Sequence, residues 1–263
     1  MGDWAFEPVS LKIKEGEKSM NYLQNEKEDK IEILKNNQLC ENDTFEFGCT
    51  QCGECCRNRH DILLLPYDLY RIAKFLNLTI SEVIVKYCEC YIGNDSHIPI
   101  VRARPKIHND VCPFLRKGKC SIHEAKPAIC ALFPLGRAAD GLGNIRYFYG
   151  GGCDVANKTK ITLKEWLEMF NLKESEEPAR LWGETVLKIC TAKMHVKKSK
   201  ENDDKLNSAI YMVLYTDYKT DRDFLPQFKK NIEFIYTAFE MIYGKSVDKI
   251  LKGVKLNALC DLS

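Results

Sequence analysis

The chain has 263 residues, enough for one large domain or two small ones. Its 39 basic and 37 acidic residues nearly cancel, so composition gives no reason to expect a nucleic acid or an acidic lipid as partner. No run of about eighteen apolar residues occurs, so no segment is expected to span a membrane.

Residues 1–44 are polar and rich in Lys and Glu, and read as a mobile arm with one short helix at 26–36. The opening MGDWAFEPVSLKIKEGEK lacks the apolar stretch of a secretory signal. Phe6 stands where a myristoylation signal wants Ser or Thr, so no lipid anchor is expected. At Phe45 the texture changes, and FEFGCTQCGECCRNRHDILLL brings a cysteine group and then an extended apolar stretch.

Pro66 suits the first turn of a helix, where its missing N–H costs nothing. Leu69, Ile72, Ala73 and Leu76 then share one helical face. Thr79 and Glu82 have the spacing of a capping box for a second helix carrying Val83, Ile84 and Tyr87. HIPIVRAR at 97–104 and NIRYFY at 144–149 alternate like two strands, which predicts a small, two-stranded sheet.

Beyond Cys153 the pattern turns helical. Thr162 and Glu165 form another capping box. Three apolar faces follow. Trp182, Val186, Ile189 and Cys190 mark the first, and Leu206, Ala209, Ile210, Val213 and Leu214 the second. Phe228, Ile232, Ile235, Phe239 and Ile242 mark the third, with Pro226 at its start and Gly244 at its end. The expected architecture is mainly α with a small β-sheet. A loop-rich, metal-stapled cysteine-cluster domain over 45–160 precedes a helical subdomain over 161–263.

The unusual feature is thirteen cysteines. The count is odd, no secretory signal is present, and the chain is too long to need staples for want of a core. Adjacent Cys55 and Cys56 suit ligation better than bridging each other. Clustered thiols in a reducing compartment point to metal or catalysis, and a cytoplasmic location is expected.

The first group is Cys49, Cys52, Cys55 and Cys56, spaced C-x2-C-x2-C-C. Two intervening residues let a turn aim both thiolates at one centre, and Gly53 permits the positive φ such a turn needs. The run has the spacing that opens bacterial ferredoxin ligation, and its doublets are also zinc-knuckle spacings. The second group is Cys112, followed by Pro113, with Cys120 and Cys130. Cys153 follows Gly150, Gly151 and Gly152, which would let the backbone approach a cluster closely.

These eight cysteines are the candidate metal and cofactor ligands. They make two four-thiolate sites, or one site with spare ligands. Successive side chains diverge, so Cys55 and Cys56 suit two metals or a polynuclear cluster better than one ion. Cys190 reads as core, and Cys40, Cys88, Cys90 and Cys260 as non-ligands. His60 and His123 lie near the cysteine groups as secondary candidates, and Arg57 as an offset for thiolate charge. His97, His108 and His195 read as ordinary surface or core residues.

The segments CTQCGECCR (49–57), DILLLPYDLYRIAKFLNL (61–78) and VCPFLRKGKCSIHEAKPAICALFPL (111–135) resemble the YkgJ-type cysteine-cluster family, the zinc- or iron-chelating CxxCxxCC domain. With Cys153 the resemblance covers about residues 45–160. It implies metal binding without a settled activity. His123 stands where the family usually has Tyr, and Lys126 where it usually has Arg.

Three functions are compatible with this reading. The first is an iron–sulfur protein, with a 4Fe–4S cluster among the candidates, used for electron transfer or cluster handling with a redox partner. The second is a zinc-stabilised protein-interaction module. The third is a protein-modifying enzyme such as a lysine N-methylase, a role associated with some cysteine-cluster proteins. No catalytic residue is identifiable, and no cofactor loop supports methyl transfer, so the third ranks last. Soft thiolates select both zinc and iron, and the all-cysteine set with its Cys-Pro favours the cluster.

Overall fold

A computed structural model describes residues 37–57, 59–106, 110–139, 145–151 and 157–253. The helix expected at 26–36 and the ligand Cys153 lie outside these, as do His108 and Cys260.

About half the structure is helical, with several small antiparallel sheets in the N-terminal part and helices beyond. Helix α1 (Pro66–Leu76) begins with its proline in the first turn and buries Leu69, Ile72 and Ala73. Helix α2 (Ile80–Tyr87) starts at the expected capping box. The Glu82 amide donates to Thr79 Oγ1 over 3.2 Å, and the Thr79 amide to Glu82 Oε2 over 2.8 Å.

Both expected strands form, but they pair with different partners. Strand β4 (Pro99–Ala103) makes a hairpin with β3 (Cys88–Ile92). Strand β8 (Ile145–Tyr149) lies between β7 (Leu135–Ala139) and β1 (Gln38–Leu39), so the end of the polar segment is built into a sheet. Strand β2 (Thr44–Gly48) pairs with β9 (Asn157–Thr162), with a bulge between Glu46 and Gly48. The hairpin of β5 (Leu115–Arg116) and β6 (Lys119–Cys120) completes the sheets. These extra strands went unread because they are short and set among cysteines and charges, so they show no run of alternation.

Helix α3 (Ala128–Leu132) carries Cys130, and helix α4 (Leu163–Met169) starts at the second expected capping box. Three longer helices follow: α5 (Glu176–Met194), α6 (Lys200–Ala209) and α7 (Phe224–Tyr243), which ends on Gly244 at φ 71°. Between α6 and α7 the helix widens into a π turn over Ile210–Thr216. The Asn231 amide group of α7 donates to the carbonyls of Val213 (3.0 Å) and Asp217 (2.9 Å), satisfying backbone at that irregularity. Among the described residues no helix is long and apolar enough to cross a membrane.

The buried side chains fall into two clusters. The larger joins α1, α2 and the β3–β4 hairpin to Ile189, Leu206, Leu214, Phe228, Ile235 and Phe239 of the C-terminal helices. The smaller is built on Trp166, whose ring meets Phe45, Phe47 and Phe170 edge-on and whose indole N–H donates to Leu132 O over 3.2 Å. Cys56, Cys112, Cys120 and Cys130 pack on the first cluster, while Phe47 and Phe133 belong to the second. The cysteine groups therefore lie at the seam between the clusters.

Candidate metal centre

The bulge that ends β2 leads directly into Cys49. The loop turns through Gln51 (φ 55°) and Gly53 (φ 79°) into a short 3₁₀ turn, Glu54–Cys56. Gly53 is required twice over. Its φ is left-handed, and a Cβ there would stand 2.9 Å from Leu115 Cδ1 and 3.0 Å from the Gly118 carbonyl oxygen. The first cysteine loop is thus pressed against the β5–β6 hairpin that carries Cys120. That hairpin turns through Lys117 (φ 48°) and Gly118 (φ 76°), the paired positive φ of a primed turn.

The second group is tied to the first through backbone. The Cys112 amide donates to the Cys56 carbonyl over 2.8 Å, and the Leu115 amide to the Cys112 carbonyl over 3.0 Å. The sulfur of Cys112 accepts the Phe114 N–H, and the sulfur of Cys120 accepts the Ile122 N–H. Cys130 enters on α3, whose Ala128 amide donates to the buried Asp68 carboxylate of α1 over 2.8 Å.

Seven of the eight expected ligands line one cavity of about 70 Å³: Cys49, Cys52, Cys55, Cys56, Cys112, Cys120 and Cys130. Its walls are otherwise largely apolar, with Phe47, Ile62, Phe114, Ile122 and Phe133, and two basic side chains, His123 and Lys126, also line it. The seven thiols come from three regions of chain that meet only in the fold.

The thiols contact one another. Cys55 neighbours Cys56, and Cys56 neighbours Cys112. A hydrogen bond with Cys56, together with burial, favours the protonated form of Cys55 and pushes its thiol far up. Its hydrogen bond to Cys112 pushes Cys56 up to about 11. At the end of the chain, Cys112 is held below the ordinary thiol range because it accepts from Cys56 and from the Phe114 amide. Burial raises Cys130 strongly. The expectation that adjacent Cys55 and Cys56 diverge does not hold, because the tight 3₁₀ turn keeps both thiols on the cavity.

Two cations face these sulfurs. The Lys126 ammonium lies near Cys49, Cys130, Cys120 and Cys55, and the Arg59 guanidinium near Cys130 and Cys55. Arg57, the cation expected from sequence, instead pairs with Glu54 at 3.5 Å and is half exposed.

The donor set suits zinc and iron, both of which bind soft thiolates. The amides directed at the Cys112 and Cys120 sulfurs are the kind of outer-shell hydrogen bond that steadies a metal-bound thiolate. Among the described residues no three His, Cys, Asp or Glu side chains are closed into a ready set for one ion.

The remaining candidates lie elsewhere. Cys88 is buried in the first cluster, Cys90 is exposed on β3 and Cys40 is exposed beyond β1. Cys190 packs against the core, with its thiol donating to Ser96 O over 3.4 Å. His60 faces Asp110 at 3.6 Å, and the His195 ring contacts Thr191 O at 2.9 Å. His97 is exposed. Sequence reasoning passed over Asp68 and Arg59 as parts of the site and marked Lys126 only as a departure from the family's usual Arg. For Asp68 the available signal was its charge on an otherwise apolar helix flank.

Neither a curated protein nor a solved structure matches the chain. Residues 48–164, the span that builds the cavity, match the family model CxxCxxCC, described as "Putative zinc- or iron-chelating domain". Over those residues, a little under half of the chain, the protein is thus similar to the CxxCxxCC cysteine-cluster domains.

Proposed function

We propose that this protein holds an iron–sulfur cluster on the thiolates of the cavity and uses it for electron transfer or cluster handling. The observation that carries this reading is the convergence of seven thiols and the Lys126 ammonium on one small, mostly apolar cavity. A mononuclear zinc site uses four ligands. Seven thiols exceed that need, and since one iron–sulfur cluster also takes four thiolates, the surplus suits one cluster with exchangeable ligands or a second centre beside it. When bound, a cluster supplies a one-electron redox centre whose potential responds to hydrogen bonds at sulfur and to solvent exposure. Here the Phe114 and Ile122 amides provide those hydrogen bonds, and the phenyl walls limit water.

A second reading is supported by the position of the cavity at the seam of the two apolar clusters. Zinc held there would staple the clusters and leave the surface for a protein partner.

Anaerobic purification, followed by an absorption spectrum and metal and sulfide analysis of one sample, separates the two. Iron and sulfide in similar amounts, with a broad visible band that dithionite bleaches, is the expected result. A colourless protein containing zinc would overturn the cluster reading in favour of the interaction module.

A further inference from the structure

A buried ammonium needs an anion or another source of electron density beside it. Lys126 is only 7% exposed, yet among the described residues no ion pair or hydrogen bond to an oxygen is found for it. Its Nζ lies 3.8 Å from the centroid of the Phe170 ring, whose π face gives partial compensation. The other groups facing it are the thiols of Cys49, Cys55, Cys120 and Cys130, together with the neutral-leaning ring of His123. Arg59 differs, because Asp61 already occupies its guanidinium. Among the described residues Lys126 is therefore a cation with no anion beside it until the thiols become thiolates.

We infer that Lys126 is the built-in counter-charge of the loaded centre, favouring its anionic, metal-bound form and raising its reduction potential. The inference rests on the metal-centre reading above. Four thiolates around a divalent ion or a doubly charged cluster core leave a net negative charge. Beside a buried ammonium and apolar walls, that charge is screened less than it would be in open solvent, so the cation acts on it more strongly. Adding an electron makes the centre more negative still, so the same ammonium stabilises the reduced state over the oxidised one. Phe170 holds the ammonium in place, and its π face offsets the positive charge only in part.

The test uses the full chain, reconstituted with iron and sulfide under argon, in wild-type, Lys126→Met and Lys126→Arg forms. Dithionite donates one electron to the centre with no bond made or broken, so the midpoint potential reads charge. At equal iron content, Lys126→Met is expected to lower the equilibrium constant for reduction about tenfold, a fall of about 59 mV for one electron. Lys126→Arg keeps the charge and stays near wild type. Lys126→Gln replaces the Met variant if that one does not fold. An unchanged potential in the neutral variant overturns the inference, as does an equal fall in the Arg variant. If the wild-type protein is colourless and holds zinc, the cluster reading fails by itself. Zinc competition with a chromogenic chelator then decides on Lys126. About tenfold weaker binding in Lys126→Met alone supports the counter-charge, and equal binding in all forms overturns it. A wild-type protein that takes up neither metal overturns both readings.

Discussion

The carboxylate of Asp68 accepts the amide of Ala128 over 2.8 Å, joining α1 to the first turn of α3, two residues before Cys130. Its other oxygen accepts the Leu65 amide over 3.0 Å, so one side chain caps the starts of two helices. Asp68→Ala leaves two amide donors without that partner, at a cost of about 2–5 kcal/mol. It also frees the Cys130 segment, so metal retention falls with stability. Denaturant unfolding and metal analysis of the same variant check both. Burial raises the Asp68 carboxyl above the ordinary carboxylate range. Across the window from the ordinary to the raised value, the folded form keeps a proton that the unfolded form has lost. Stability therefore declines as pH rises through that window. Asp68→Asn, which cannot titrate, is expected to flatten the decline.

Gly53 sits where the first cysteine loop meets the β5–β6 turn. Gly53→Ala forces a left-handed φ on a residue with a Cβ and drives that Cβ toward the Gly118 carbonyl. The strain is about 1–3 kcal/mol. Because the loop must lift off the hairpin, Cys49 and Cys52 move away from Cys120. The expected outcome is a modest loss in melting temperature with a larger loss in metal content. Gly118→Ala makes no new contact and keeps only the φ penalty, so its metal loss is smaller.

Thiol labelling distinguishes the cavity cysteines from the rest. In metal-free protein, exposed Cys49 and Cys52 are expected to alkylate readily alongside exposed Cys40. Loading with metal protects the cavity cysteines and leaves Cys40 reactive. Cys88 stays unlabelled in both states, because burial raises its thiol to about 12 and the thiolate is the reactive species. Peptide mass mapping after brief alkylation reads this out. Equal protection of Cys40 would sink the assignment.

Removing the metal is expected to loosen the seam and spare the larger apolar cluster. That cluster ties α1, α2 and the β3–β4 hairpin to the C-terminal helices, and among its buried members only Ile62, Cys112, Phe114 and Ile122 line the cavity. A structural thiolate site is worth about 10–16 kcal/mol in zinc-finger peptides, comparable with the stability of a whole domain. Chelation should therefore abolish a large part of the unfolding transition. The helical far-ultraviolet signal of α5 to α7 should persist. A chelated protein with an unchanged melt would show that the metal contributes nothing to the fold.

Local signals were legible wherever a few neighbouring residues suffice. Thr79 and Thr162 with their glutamates fixed two helix starts, Pro66 a third, and Gly244 a helix end, because caps depend on side chains three or four positions apart. The apolar faces of α5 and α7 were equally plain. The short strands were not legible, since β1, β5 and β6 are two residues each and exist only through their partners. The π turn after α6 was also hidden, because it depends on Asn231, which comes from another helix.

By itself the sequence determined the chemistry available, namely a set of soft thiolates in two spaced groups and helices on either side of them. Tertiary structure decided which groups share the cavity. It placed Lys126 and Arg59 rather than Arg57 against the sulfurs, and it set Asp68 under the Cys130 helix. The reason is physical. Ligand type and turn spacing are written in consecutive residues, whereas the field at a sulfur depends on charges brought close by packing. Lys126 is 77 positions from Cys49 in the chain and faces its thiol only because two apolar clusters close around the seam.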